Sequence, residues 1–446
     1  MVRGGQVMAE AVGQWLNQVT PLPWLQEKSS EGAGVVNSQP WPTPKAEYWK
    51  YTSLKHIERG GFDFSAIEQA SPVSSEAVSI IELDTFNLVF VDGQFRADLS
   101  NLDPASPELP EGLDIIDFAH ADAGQQAFIR DALHSTVQEQ KHVLAHLSVA
   151  MLSQGLLIRV APETRIEKPV QITHYTTAQA DQKGMQHRVL VHLGHHAELN
   201  LVEMYGSDDS AHTGWMNQVT EVIQEPESAM QHYRLHQEQQ AMAHTGAVHV
   251  TLDKQARFNS FLLGYGGKLK RLDYVVHHEG PAAECNLQGV YLVNQRQHFD
   301  LRTQIEHKVP HCLTDEVFRG IIDDKGLAVF NGKIHIHKHA QKTLAEMSNR
   351  NLLLSENAQI NTKPELEIYA DDVKCAHGAT ISQMDSDALV YLRSRGISAA
   401  EAAVMLSFGF INEILMTIKH PEILGYIRPS IVRRFGQDER LMRHLL

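Results

Sequence analysis

Residues 325–340 read KGLAVFNGKIHIHKHA, and this stretch contains the two patterns that decide the fold. From Lys333 onward polar and apolar residues alternate, which predicts a β-strand with Ile334 and Ile336 on its buried face. Just before the alternation stands the phrase Ala328-Val-Phe-Asn331, in which a small residue precedes an asparagine by three positions. The stretch therefore predicts one strand together with a phrase that can be searched for elsewhere.

Both patterns recur from about residue 155 to residue 385, where short alternating runs are separated by Gly, Asn, Asp and Pro. The phrase returns at irregular intervals, as Ala197–Asn200, Ala256–Asn259, Ala283–Asn286, Ala328–Asn331 and Ala358–Asn361. Stacked coils would repeat such a phrase at equivalent turns, with asparagine satisfying exposed backbone groups. The residues alone leave two mainly β architectures open, a parallel β-helix and a two-sheet sandwich, because the irregular period does not decide between them.

Helical spacing appears on both sides of the β region. An amino-terminal region over residues 1–150 contains stretches such as AEAVGQWLNQ and is predicted to be mostly helical. After residue 386 the pattern is helical again, and Ser398 with Glu401 predicts a capping box at the start of one helix. We therefore expect three parts: a helical region at 1–150, a β core at 151–385 and a helical region at 386–446.

The charge balance limits the partners of the chain. Its 446 residues carry a formal net charge of -15 and contain no Lys/Arg-dense run, which argues against nucleic acid or an anionic membrane as the main partner. No apolar run approaches the roughly 18 residues that a membrane-spanning helix needs. The start has no apolar signal region, and the three cysteines are too far apart to suggest a disulfide framework. We expect a cytoplasmic protein.

Three histidines, at positions 335, 337 and 339, would lie on one face of the predicted strand. Alternate side chains on a strand are roughly 7 Å apart, which is wide for a single ion. We interpret the three as a solvated strand face. A histidine-rich metal store remains an alternative function.

Two cysteine–histidine pairs are candidates for soft-metal chemistry. His307, His311 and Cys312 lie close together in IEHKVPHCL, where a lone cysteine is more often a small buried apolar residue, and we favour a structural role there. Cys375 and His377 lie two apart in ADDVKCAHGATIS and point to the same face of a strand, with Gly378 allowing close approach. Two ligands do not complete the shell of zinc or iron, so a site at Cys375 and His377 needs another segment or chain.

Motifs for enzyme catalysis are missing from the sequence. A Walker A loop at Gly267-Lys268 would need glycine at Leu262 and Ser or Thr at Leu269. GxSxG and HExxH do not occur either. We expect no nucleotide hydrolysis by this chain and assign no catalytic residue. The alternative from another class is a β-helix carbohydrate-active enzyme, against which the missing secretion signal argues.

Long segments of the chain resemble the SufB/SufD family of the SUF iron-sulfur cluster assembly machinery. They are AEYWKYTSL near the start, and VPHCLTDEVFRGIIDDKGLAVFNGKI, AQKTLAEMSNRNLLLSENAQINTKPELEIYADDVKCAHGAT and DALVYLRSRGISAAEA further on. The match is dense from about residue 300 to residue 415 and thin elsewhere. Both branches share the CxHGAT and SRG segments, while VPHC and VFNGKI are similar to the SufD branch, so a SufB-type subunit is the alternative.

The resemblance implies a right-handed parallel β-helix with helical regions at both ends, and a scaffold subunit without catalytic activity. It implies a complex with a SufB-like subunit and a SufC-like ABC ATPase, with the ATPase docking on the carboxy-terminal helices. An isolated chain could form a homodimer. It further implies that His377, with Cys375 nearby, lies at the SufB interface and helps to build a transient iron-sulfur cluster. No permanently bound cofactor is expected.

Overall fold

The computed structural model describes residues 11–67, 71–102, 108–208 and 211–435. Two β-sheets that face each other form its centre. The first has ten strands: β1 (Phe86–Val91), β2 (Gln94–Phe95), β5 (Val170–Thr176), β7 (Glu198–Ser207), β9 (Ala229–Gln237), β11 (Arg257–Tyr265), β13 (Glu284–Val293), β15 (Leu313–Ile322), β17 (Leu344–Leu353) and β19 (Lys374–Gln383). The second has nine: β3 (Leu113–Asp117), β4 (Leu156–Val160), β6 (Gly184–Leu193), β8 (Trp215–Gln224), β10 (Ala243–Leu252), β12 (Leu269–His278), β14 (His298–His307), β16 (Leu327–Ile336) and β18 (Gln359–Ile368).

The chain alternates between the two sheets. From β4 onward each strand pairs in parallel with the strand two positions along the chain, as β13 does with β15 and β14 does with β16. One circuit therefore adds one strand to each sheet, and the next circuit stacks on it. A sandwich of antiparallel hairpins would pair consecutive strands instead. The parallel β-helix is thus confirmed and the sandwich alternative is wrong.

Three of the five repeated phrases occupy equivalent places in this stack. Ala197, Ala256 and Ala283 are fully buried at the corner just before β7, β11 and β13. The asparagines that follow line up between coils, and Asn286 Nδ2 donates to Asn259 Oδ1 at 2.8 Å. A small residue fits the tight corner, and the Asn259–Asn286 hydrogen bond satisfies polar groups between two adjacent coils.

The other two phrases are not equivalent to these. Ala328 lies inside β16, whereas Ala358 lies before β18, and the register aligns Ala328 with Ile360. The repeat interpretation therefore fails for Ala328, whereas Ala358 takes the same place before a strand but in the other sheet. Paired residues of adjacent coils are 26 positions apart at Ala243 and Leu269 but 33 apart at Leu156 and Val189, because the turns differ in length while the strands keep register. This variation explains the irregular period in the sequence.

The amino-terminal region packs mainly on the outer face of the nine-stranded sheet. Its helices are α1 (residues 11–18), α2 (Gln26–Ser38), α3 (Lys55–Arg59), α4 (Ser75–Val78), α5 (Ala123–Ala132) and α6 (Val143–Ala150). Trp15 of α1 contacts Trp215 of β8 with ring centroids 5.2 Å apart. Residues 1–150 also contribute β1, β2 and β3 to the two sheets. The β structure therefore begins before residue 151, since the first coil needs strands to cover its end.

The carboxy-terminal helices are α7 (Ser386–Ser394), α8 (Ala399–Leu415) and α9 (Pro421–Phe435). The capping box of Ser398 and Glu401 is confirmed at the start of α8. Apolar residues of α8 and α9, such as Ile411 and Ile427, pack on the outer face of the ten-stranded sheet. By contrast, α7 buries none of its residues. None of the described helices is both long and apolar enough to cross a bilayer.

Candidate functional site at the end of the β-helix

Cys375 and His377 lie on β19, the last strand of the ten-stranded sheet. In the parallel register with β17, Cys375 is opposite Ala345 and His377 is opposite Met347. Ala345 and Met347 are buried in the interior of the β-helix. Because strand side chains alternate, Cys375 and His377 continue two inward-facing columns into the terminal coil. The sequence prediction that they share one face agrees with this geometry.

The two side chains differ in exposure. Cys375 is half-buried and packs against the interior, and burial raises the pKa of its thiol. His377 is exposed although it continues the buried column of Met347, because no further coil of the described chain covers it. A Cβ placed on Gly378 would meet nothing within 4 Å, so the surface beside the pair is open.

The pair remains incomplete as a ligand set. Across the described ranges, no third histidine, cysteine or acidic side chain joins Cys375 and His377 in a cluster with donor atoms within 4.8 Å of one another. One thiol and one imidazole do not fill the coordination shell of an iron or zinc ion. Any metal or cluster bound here would need ligands from outside the described chain.

The terminal coil also presents two free strand edges. β18 and β19 are the end strands of their sheets, and each is ten residues long. Edge strands carry unpaired backbone N–H and C=O groups that can pair with another chain. Two large apolar side chains lie exposed on them, Ile368 at 42% and Ile381 at 52%. The end of the β-helix thus combines a soft-ligand pair with a surface suited to strand pairing.

The second cysteine–histidine pair is separated in the structure. His311 is exposed in a turn with a φ of 65°, while Cys312 is fully buried at a corner just before β15. The donors near Cys312 are instead His278 and His307, whose rings stack at 4.3 Å. Burial raises the pKa of the Cys312 thiol to about 11. Sequence reasoning noted His307 but missed His278, because His278 lies one coil earlier and only the register pairs the two.

The three histidines of KIHIHKHA do not form one uniform row either. His335 and His337 converge on Glu306 of β14, whereas His339 lies exposed beyond the end of β16. The carboxylate was missed from the sequence because it lies one coil away. The sequence could have indicated this contact only through the coil length, which places Glu306 beside His335 in the register.

Comparison with known proteins assigns a family to this arrangement. The family model "SUF system FeS cluster assembly, SufBD core domain" matches residues 174–410, and "SufBD protein N-terminal region" matches residues 21–172. Iron-sulfur cluster assembly protein SufD of Escherichia coli is 31% identical over 404 residues, which cover 89% of each chain. A SufBD family protein of Synechocystis is 28% identical over 416 residues, covering 91% of this chain and 90% of that protein.

The SufD protein of Bacillus subtilis is 24% identical over 408 residues, covering 88% of this chain and 90% of that protein. These matches do not favour a carbohydrate-active enzyme. Family membership implies participation in a SUF complex, and similarity to SufD proteins fits a non-catalytic subunit. Since the core model spans more than half of the chain, this protein belongs to the SufBD family and functions in iron-sulfur cluster assembly by the SUF system.

Proposed function

We propose that this chain is a scaffold subunit that pairs through its terminal coil with a SufB-like subunit, and that Cys375 and His377 supply part of the ligand set of a transient iron-sulfur cluster at that interface. One observation carries the proposal: the inward-facing pair lies on the uncovered last coil and has only two of the ligands that a metal centre needs. The unpaired edges of β18 and β19 offer the partner its attachment surface.

The chemistry of the pair suits a cluster that is built and passed on. Iron-sulfur clusters are held by thiolates, and imidazole replaces some thiolates in certain clusters. Because burial raises the pKa of Cys375, its thiol keeps the proton until a metal displaces it. A ligand set divided between two chains can release the cluster when the interface opens. The cluster is the cargo of this subunit rather than a resident cofactor.

The test is cluster assembly by the complex co-expressed from one operon, with His377→Ala and Cys375→Ser introduced separately. We expect the partner to co-purify as before, since each change removes few contacts. Bound iron and sulfide should fall about tenfold for His377→Ala and less for Cys375→Ser. The reason is that the metal affinity of a site typically falls ten- to a hundredfold when a supporting group is removed. Iron and sulfide analysis of the purified complex measures this.

Lys374→Ala is the matched control, because Lys374 is an exposed neighbour on the opposite face of β19. It should leave the cluster content unchanged. Normal cluster content in His377→Ala, or an equal loss in Lys374→Ala, would contradict the assigned role.

We further propose that a SufC-like ABC ATPase docks on the carboxy-terminal helices and carries out the ATP hydrolysis of the complex. Support comes from α7, where Val390 and Tyr391 are 62% and 58% exposed although both are large and apolar. Exposed apolar side chains on one short helix are typical of interaction surfaces. The double variant Val390→Asp/Tyr391→Ala should abolish co-purification of the ATPase. Arg393→Ala on the same exposed helix is the control, and retention of the ATPase by the double variant would refute the docking site.

We propose that the protein is located in the cytoplasm. All three cysteines are free thiols, which suits a reducing compartment. Cell fractionation with antibody detection tests this, and recovery of the protein outside the cytoplasmic fraction would overturn it.

A further inference from the structure

A row of metal-ligating side chains crosses the outer face of the nine-stranded sheet, at the carboxyl ends of its strands. In the parallel register His277 of β12 lies beside Glu306 of β14, and Glu306 lies beside His335 of β16. His337 follows one residue after the end of β16. Residues from three successive coils therefore meet at one place.

The side chains of this row converge on a single carboxylate oxygen. His335 Nδ1 lies 2.8 Å from Glu306 Oε2, and His337 Nε2 lies 2.9 Å from the same oxygen. The two imidazole rings stack with centroids 4.1 Å apart. Because β16 ends at Ile336, His337 leaves the strand geometry and its ring folds back over His335. The roughly 7 Å spacing of alternate strand residues does not apply to this pair.

These separations are close to those around one bound ion. Donor atoms at about 2.0–2.2 Å from a zinc ion are roughly 3–3.5 Å from one another. The three donors of the cluster lie within 4.8 Å of one another. We propose that Glu306, His335 and His337 form a binding site for one first-row divalent transition-metal ion. This inference goes beyond the cluster-assembly role, since it concerns residues in the other sheet.

The surroundings hold the donors in place. Gln304 Nε2 donates to Glu306 Oε1 at 2.9 Å, which leaves Oε2 turned toward the imidazoles. The ring of His335 is supported edge-on by Tyr369 at 5.5 Å. Such hydrogen bonds and packing around ligands keep metal sites in a fixed geometry.

A buried imidazole beside the cluster lacks partners. His277 is only 3% exposed, and neither of its ring nitrogens has a hydrogen-bond partner within the part of the chain that the structure describes. Buried polar atoms usually have a partner. His277 is next to Glu306 in the register but is not one of the donors that lie within 4.8 Å of one another, so it is placed to bind a water on the ion rather than the ion itself.

The donor set defines the class of metal. Two imidazoles and one carboxylate suit zinc and ferrous ions, and the absence of sulfur from this set disfavours cuprous copper. The side chains of His335 and His337 are 22% and 40% exposed, so the ion can enter from solvent and keep open coordination positions. An open three-ligand site of this kind binds an exchangeable ion.

The experiment is a titration of the full-length, tag-free chain with Zn²⁺ alone, in which calorimetry measures the heat of binding. It is performed in the Cys312→Ala/Cys375→Ser background, so that ions bound by either cysteine are not counted. We expect one equivalent of Zn²⁺ to bind. Glu306→Gln, His335→Ala and His337→Ala should each weaken the affinity at least tenfold, and Zn²⁺ should raise the melting temperature of the parent but not of these variants.

His339→Ala is the matched control, because His339 is exposed in the same segment and lies outside the cluster. The Zn²⁺ affinity of the His339→Ala variant should stay within twofold of the affinity of the parent. The inference is overturned if His339→Ala weakens binding as much as His337→Ala does, or if the parent binds no more Zn²⁺ than the Glu306→Gln variant. Circular dichroism of each variant checks that the fold is retained, so that a loss of binding is not caused by unfolding. Because His337 is partly exposed, its truncation should be tolerated.

Discussion

Among the individual residues of the interior, Glu316 is an acid whose ionised form is disfavoured by its surroundings. It is fully buried in β15, and among the residues that the structure describes only Thr303 is a hydrogen-bond partner of its carboxyl group, through Oγ1 at 2.8 Å from Oε2. Burial raises the pKa of this carboxyl to about 8. At neutral pH the folded protein therefore keeps Glu316 protonated, whereas the unfolded chain ionises it.

This difference predicts a pH dependence of stability. Because the folded pKa lies above the unfolded value of 4.5, the contribution of Glu316 is least unfavourable below about pH 4.5 and worsens as the pH rises toward 8. Glu316→Gln should therefore have a larger free energy of unfolding than the parent at pH 8, by roughly 2–4 kcal/mol, and so a higher urea midpoint. The difference should be smaller at pH 5. Glu346 is exposed on the neighbouring strand, and Glu346→Gln should leave the urea midpoint unchanged at both pH values. Equal gains at both pH values would contradict the explanation.

A second residue-scale prediction concerns the corner position of Cys312. The equivalent corners before β11 and β13 carry Ala256 and Ala283, so alanine fits this place. Cys312→Ala should change the free energy of unfolding by less than about 1.5 kcal/mol, whereas Cys312→Leu should cost about 1–3 kcal/mol through overpacking. Urea unfolding measures both. A large loss in Cys312→Ala would show that the thiol does more than fill the corner.

At the scale of elements, a buried ion pair fastens the amino-terminal region to the β-helix. Arg188 of β6 donates to Glu221 Oε1 of β8 at 2.9 and 2.7 Å, and both side chains are fully buried. Thr136 Oγ1 and the backbone N–H of His134 also donate to Glu221. Arg188 in turn donates to the carbonyl oxygen of Ala145 in α6. The ion pair thus joins the amino-terminal region to two strands, since Glu221 holds a loop and Arg188 holds α6.

Removing this carboxylate should loosen the contact between the elements. Glu221→Ala leaves the Arg188 charge buried without its counter-ion, which typically costs about 3–5 kcal/mol. The exposed pair of Arg165 and Glu198 is the comparison, and Arg165→Ala should cost at most about 1 kcal/mol. Urea unfolding gives the energies, and limited proteolysis shows whether residues before β4 are cleaved first. Equal stabilities for the two variants would refute the fastening role.

At the scale of the whole molecule, the two ends of the β-helix differ. The amino-terminal end is closed by β2 and β3, which pair antiparallel with β1 and β4. The other end exposes β18 and β19. The edge strands β18 and β19, with ten residues each, are longer than β2 and β3 and offer the larger surface for strand pairing, so a homodimer and the proposed complex with a SufB-like subunit would compete for it.

The isolated chain should therefore associate through its exposed end at high concentration. Ile381→Lys places a charge on that end, and lysine on an edge strand opposes edge-to-edge pairing. We expect sedimentation velocity to show the parent as a concentration-dependent dimer and Ile381→Lys as a monomer. Val390→Lys on α7 should leave the dimer intact. Dissociation by Val390→Lys alone would place the contact on the helices instead.

Local patterns were sufficient for much of this molecule. Alternation between 155 and 385 predicted the strands, Ser398 and Glu401 predicted the start of α8, and the spacing of Cys375 and His377 placed both on one face. Each of these features depends on residues a few positions apart, so the local chain contains the required information. Resemblance to the SufB/SufD family supplied the architecture that the irregular period left open.

Other features depend on residues of adjacent coils, which lie 26 to 33 positions apart in the chain, and only the stacking of coils decides them. The convergence of Glu306 with His335, and of His278 with Cys312, follows from the register of parallel strands, which turns of varying length conceal in the sequence. Pairing of Arg188 with Glu221 likewise needs both strands in place. The sequence by itself determined the strands, the cap of α8 and the shared face of Cys375 and His377 on β19, because these are local. The tertiary structure alone decided which side chains meet between coils and that one end stays open, because parallel pairing joins distant residues.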